Sequence, residues 1–315
     1  EDYGMFAIGS WSKALDNPSP ELFSYTNTAF LIGNGADADN RSNAVQILFD
    51  GTTTIAGSVT ATAFIGDGSQ LTNLSVSSPF SFNDTSGSGI QSSLALATGE
   101  QSFALGSSTA SGDYSTAMGV GATASGLRSF AIGDNANSLS EESFSFGESV
   151  FASGDNSFAF GQFNEASGVL SIAIGSQITS SAQSSTGFGY ETTASGDYST
   201  ALNRGTLASG GYSLATGANS IASGFASSTL GQGTEASGTY SLAIGINTKA
   251  TNQASFASGA DTFAEGQESV AMGRSTLASG AISLATGFNS TASGNYSTAM
   301  GAYTTANGIY STAMG

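Results

Sequence analysis

A serine recurs every fourteenth residue from Ser115 to Ser311, fifteen times without a miss. Four residues after each serine lies a second column, Gly119 to Gly315, whose fifteen positions are interrupted by Asn203. A third column, Gly112 to Gly308, holds glycine at twelve of fifteen positions. Strict self-similarity at a short period makes fold a property of the repeating unit, here roughly Ser-x-Ala-x-Gly-x-x-Thr-x-Ala-Ser-Gly-x-x. Fourteen residues are too few for a helical pair or a propeller blade. They suit one turn of a parallel β-solenoid, with two short strands and two glycine corners.

Composition supports an ordered all-β chain. Glycine is abundant (43 of 315 residues), but 39% hydrophobic residues locked to a period argue for packing and against a disordered linker. Collagen is excluded because glycine does not recur at every third residue and proline is scarce. A net charge of −17 would repel phosphates, so no nucleic-acid partner is expected. With no cysteine, neither disulfides nor thiolate metal sites can form. No apolar stretch is long enough to span a bilayer, and Glu1-Asp2-Tyr3-Gly4 does not begin a signal peptide, so any export signal or anchor is expected outside this sequence. Gly315 closes a unit without a polar cap, and the natural chain is expected to continue there or another subunit to dock.

Three stretches are expected. Residues 1–74 form a small β-rich module: Ala44 to Phe49 and Thr53 to Ile65 read as strands, with turn signals at Asp50-Gly51 and Gly66-Asp67-Gly68. Residues 75–93 are Ser-rich, carry Pro79 and read as a connector. The repeat array occupies 94–315.

Alternation sorts each unit into two faces. Three and one residues before the first glycine stand pairs such as Phe130 and Ile132, Phe158 and Phe160, or Leu242 and Ile244, and at least one member is apolar in every unit. The opposite face carries the invariant serine and a column of alanine. The large pairs are expected inside the coil and the small Ser/Ala face against a neighbour; alternation alone leaves the reverse arrangement open. In the second strand, Thr192 with Ala194 and Thr276 with Ala278 read as inward, and the variable residue between them as outward. So thin a coil encloses few side chains against a backbone entropy of roughly 1 to 2 kcal/mol per residue, which argues for assembly with further copies of the chain.

The run Ser115-Thr116-Ala117-Met118-Gly119 with Ala124-Ser125-Gly126, echoed in Ser129-Phe130-Ala131-Ile132-Gly133 and Ser241-Leu242-Ala243-Ile244-Gly245, closely resembles the head repeats of YadA-like trimeric autotransporter adhesins. The resemblance covers residues 102–315. It implies a left-handed parallel β-roll, a homotrimer with rolls side by side, and a surface that binds host or environmental ligands such as a host protein or glycan. No heptad stalk, basic neck or barrel strand accompanies the repeats. In the front segment, Asn40-Arg41-Ser42-Asn43-Ala44 and the run Ala61 to Leu74 resemble segments of phage tail-fibre-type and large bacterial surface proteins.

Catalysis has little to stand on, since histidine and cysteine are absent. Glu141-Glu142, or Asp37 with Asp39, could be cast as acid pairs, but charges in turns are usually solvated. No phosphate loop, calcium nonapeptide or metal-ligand pattern occurs, so no cofactor or metal is expected. The threonine column (Thr192, Thr206, Thr234, Thr248, Thr262, Thr276, Thr304) is a single lane, better read as inward-facing than as an ice-binding array. The candidate ligand surface is a tyrosine column, Tyr114, Tyr198, Tyr212, Tyr240, Tyr296 and Tyr310, each just before the invariant serine. Packing of each ring across a corner onto the next coil or subunit is the competing use. The expected function is a surface-exposed, extracellular adhesin head at the cell surface. A virion tail fibre for host recognition and a filament subunit assembling end to end are the alternatives.

Overall fold

A computed structural model describes residues 4–10, 12, 21–60, 80–82 and 90–315. The segment Ala61 to Leu74, including Gly66-Asp67-Gly68, and Pro79 lie outside the described residues. The chain divides into two compact units, Glu1–Val76 and Ser77–Gly315.

In the first unit, four strands lie in the order β1 (Phe6–Ser10), β2 (Thr28–Asn34), β3 (Asn43–Leu48) and β4 (Thr53–Ile55). β3 and β4 form a hairpin at Asp50-Gly51, where the Thr52 N–H donates to Asp50 Oδ1 at 2.8 Å and Gly51 takes φ +89°. β2 pairs antiparallel with β3 and parallel with β1. Its Leu31 is the large side chain of this unit that is fully shielded. β1 is a surprise at the level of pattern: Phe6-Ala7-Ile8-Gly9-Ser10 repeats the array motif Phe130-Ala131-Ile132-Gly133. Gly9 packs so tightly on β2 that a Cβ there would collide with the Gly33 carbonyl.

Within the stretch read as a connector, β5 (Phe80–Phe82) and β6 (Ile90–Ser92) pair antiparallel, and β6 joins the first strand of the array, Phe103–Ala110, in parallel. From there the second unit is a parallel β-solenoid. A typical coil has a five-residue strand (Phe130–Asp134) and a two-residue strand (Asn137–Ser138), each pairing in register with its counterpart fourteen residues on: Phe130 with Phe144, Gly133 with Gly147, Asn137 with Phe151. The corners are hydrogen-bonded between coils as well, Arg128 N–H to Asp113 O at 2.9 Å and Asn135 N–H to Val120 O at 2.8 Å. The backbone is thereby satisfied coil upon coil.

Two expectations need correction. The Phe/Ile/Leu/Met pairs are not inside the coil. Ser129 and Ala131 point inward and are buried, whereas Phe130 and Ile132 point outward and are half-buried; their counterparts also point outward and range from half-buried to exposed. The physical reason is thickness: strands of five and two residues joined by tight corners leave an interior that only Ser, Ala, Thr and similar side chains fill at native density. The short strand behaves as expected, with Thr192 and Ala194 buried and Thr193 outward.

The corners are also not chiefly glycine. The first glycine column does take positive φ, +122° at Gly245 and +85° at its substitute Asn203. The left-handed turns proper, however, fall on two other columns. One lies just before the serine (Tyr198, φ 60°) and one two residues after the glycine (Asn135, φ 53°). The second glycine column is favoured by contact, although it admits Ser140, Ala182 and Asn252: a Cβ on Gly126 would run into the carbonyl of Ser140 in the next coil.

Candidate interaction surface

The invariant serine starts each long strand from inside the coil. Ser269 closes a four-residue turn twice, its N–H donating to Gly266 O at 3.2 Å and its Oγ to the same oxygen at 2.7 Å. Ser143 and Ser255 repeat the hydroxyl bond at 2.7 Å. The equivalent backbone turn recurs at Ser115, with N–H to Gly112 O at 3.2 Å, and its hydroxyl is buried in the coil. The column is therefore structural, and function must be sought on the outside.

Two outward features run along the solenoid. The first is the apolar stripe on the long strands. Phe130 stacks on Phe144 at 4.8 Å, Phe144 on Phe158 at 5.3 Å and Phe146 on Phe160 at 5.3 Å between ring centroids. Phe160 stays 42% exposed and Phe188 52%.

The second is the tyrosine corner. Tyr114, Tyr198, Tyr212, Tyr240, Tyr296 and Tyr310 are all exposed, with φ between 58° and 61°. In each the left-handed backbone turns the ring outward, while the N–H bonds the preceding coil, as from Tyr212 to Asp197 O at 2.8 Å. The solenoid brings two pairs together, Tyr198 on Tyr212 at 5.0 Å and Tyr296 on Tyr310 at 4.9 Å. Tyr114 is followed in its column by Arg128, which ion-pairs Glu141 at 2.6 Å and Glu142 at 2.9 Å.

Sequence reasoning missed Phe225. The corner position of its coil holds Ala226, so the aromatic side chain sits one residue earlier. It reaches both Tyr212 at 5.5 Å and Tyr240 at 6.0 Å. A search for aromatics within one residue of the column would have found it.

The carboxylates weighed as acid pairs are engaged otherwise. Glu141 and Glu142 share Arg128. Asp37 accepts from the Asn40 side chain and from the Asp39 and Asn40 N–H groups, bonds that hold its carboxyl below the usual range and order a surface loop. Tyr190 is pushed up by hydrogen bonding to, and the charge of, Glu191. Among the described residues no group of three or more His, Cys, Asp or Glu side chains could hold a metal ion. No described helix is long and apolar enough to cross a membrane.

No curated protein matches the chain. A family model, the YadA head domain repeat (2 copies), matches residues 110–136, 152–177, 180–202, 236–262, 264–290 and 292–315. The intervening coils keep the serine column, and the glycine columns except at Ser140 and Asn203. By period, by the inward Ser/Ala columns and by this match, residues 110–315 are an array of YadA head domain repeats.

Proposed function

We propose that the array is the head of a trimeric, surface-exposed fibre that works in attachment. The observation that carries this reading is the outward apolar stripe, present in coil after coil and half-exposed in a single chain. An apolar strip of that length is a docking surface. Three copies in parallel, with their coils in register, would cover it around one axis and close without leaving a sticky face. The YadA head repeats support the same reading. The tyrosine corner, exposed and repeated, is the surface offered for attachment, where many weak contacts would add through multivalency. The net charge of −17 keeps such heads apart in solution. Sedimentation equilibrium at micromolar concentration tests the assembly. A folded species of three times the chain mass is expected, and a folded monomer would overturn the proposal.

A further inference from the structure

We infer that the corner carrying Tyr198, Tyr212, Phe225 and Tyr240 is a binding site for an extended neutral polysaccharide, with Phe225 as its stacking platform. The inference rests on the reading of the array as an exposed attachment head. It adds a ligand class and a residue to it.

Four consecutive coils supply one continuous run of rings, with centroids 5.0, 5.5 and 6.0 Å apart. The geometry changes at Phe225. Tyr198 and Tyr212 lie parallel within 9°, so each covers a face of the other. Phe225 stands at 72° to Tyr212 and 88° to Tyr240, so neither neighbour stacks on it. Its Cδ2–Cε2 edge rests over Gly211, 3.5 and 3.6 Å from where a Cβ would stand, and the residue remains 47% exposed. An aromatic ring with an electron-rich surface, half-exposed and set between two phenols, is what the C–H face of a sugar ring stacks upon. Ser209 and Ser223, both exposed and each three residues ahead of the corner position in consecutive coils, offer hydroxyls that can meet sugar hydroxyls.

Charge selects a neutral ligand. Across these four coils the corner bears one charged side chain, Asp197, although the chain carries −17 and the same corner holds Asp113, Arg128, Glu141 and Asp155 in earlier coils. A polyanion would meet repulsion from the whole molecule, and a polycation would find its partners elsewhere on the array. A polypeptide adding as a strand is disfavoured because the corner N–H groups are already used, Ala226 to Gly211 O and Tyr240 to Phe225 O, both at 2.8 Å. A repeating polymer suits a surface that itself repeats at about 4.8 Å per coil.

The test uses the full chain on immobilised linear glucan, galactan and N-acetylglucosamine polymer, with dextran sulfate and gelatin as the charged and polypeptide probes. Retention on at least one neutral polymer is expected, with little on dextran sulfate or gelatin. Phe225→Ala should weaken that binding about tenfold while sedimentation and circular dichroism stay unchanged. Ser223→Glu, an exposed change that leaves the coil interior alone, should weaken it as well. Retention by gelatin alone, by none of the neutral polymers, or undiminished binding by both variants overturns the inference. Loss of the assembly in Phe225→Ala would assign the ring to subunit contact and overturn it too. A wild-type chain that binds neutral polymer but sediments as a monomer would instead sink the trimeric head and leave this site standing.

Discussion

Left-handed backbone recurs twice in every coil and is carried by residues as bulky as Tyr198 (φ 60°), Leu170 (φ 58°) and Ile282 (φ 53°). For an L-residue this conformation costs roughly 1 to 2 kcal/mol. It persists because the N–H of each corner residue is tied to the preceding coil, as Ile282 is to Gln267 O at 2.7 Å. The column two residues after the first glycine relieves the cost chemically, using Gly at 121, 205 and 233 and Asn at 135, 219, 247 and 289. Each of those three glycines precedes an asparagine in the next coil. A Cβ on Gly121 or Gly233 would press on the Oδ1 of Asn135 or Asn247. Ile282 is, among the described residues, the one β-branched side chain held at such a φ, and it is exposed, so its ring of contacts is small. Ile282→Asn should therefore stabilise the array, by about 1 kcal/mol. The check is a denaturant midpoint that rises; a fall would mean that Ile282 is held by packing.

Within an element, small volumes are matched across the coil. Ile178 is the bulkiest filler of the inward short-strand column, and nine residues on, where most other coils place Ala, stands Gly187. A Cβ on Gly187 would collide with Ile178 Cγ2. Thr229, the bulkiest side chain in the alanine column, is preceded nine residues earlier by Ser220. Gly187→Ala should then destabilise by about 1 to 3 kcal/mol through overpacking. Ile178→Val alone should cost roughly 0.5 to 1.5 kcal/mol as a small cavity. The double variant should be more stable than the sum of the two implies, as thermal midpoints of the four proteins would show; strict additivity would deny the contact. This scale also shows how far sequence reaches. The period, the two strands, the inward Thr column and the Asp50-Gly51 hairpin were legible because each depends on local pattern. Which face of the long strand lies inside was not. Phe130 and Ala131 alternate under either arrangement, and hydrophobicity favours Phe inside. What decides is the width of the coil, a property of corners whose left-handed residues include Arg128 and Glu142, types with no turn signature. Phe225 escaped for a related reason, having slipped one residue out of a column that strict periodicity follows.

At the scale of the molecule, the inside-out placement changes where stability comes from. The coil interior is mostly Ser, Ala and Thr, with Val150, Asn164 and Ile178 as larger fillers, so the outward apolar side chains contribute little until another surface covers them. In the proposed trimer the outward phenylalanines of the long-strand stripe are buried by a neighbouring copy, worth about 1.5 to 3 kcal/mol per fully buried side chain, and every substitution acts three times. Phe146 and Phe160 are the places to test this. They point out of the coil, stack on each other at 5.3 Å and are 40% and 42% exposed, so replacing them disturbs no coil interior. Phe146→Ser with Phe160→Ser should lower the sedimentation mass or make the thermal midpoint depend on protein concentration, because stability linked to assembly follows mass action. Far-ultraviolet circular dichroism should still report the β-coil at high concentration. If the double variant keeps the wild-type mass and midpoint at every dilution, the stripe is not the subunit interface, and the apolar face must be assigned to a different partner.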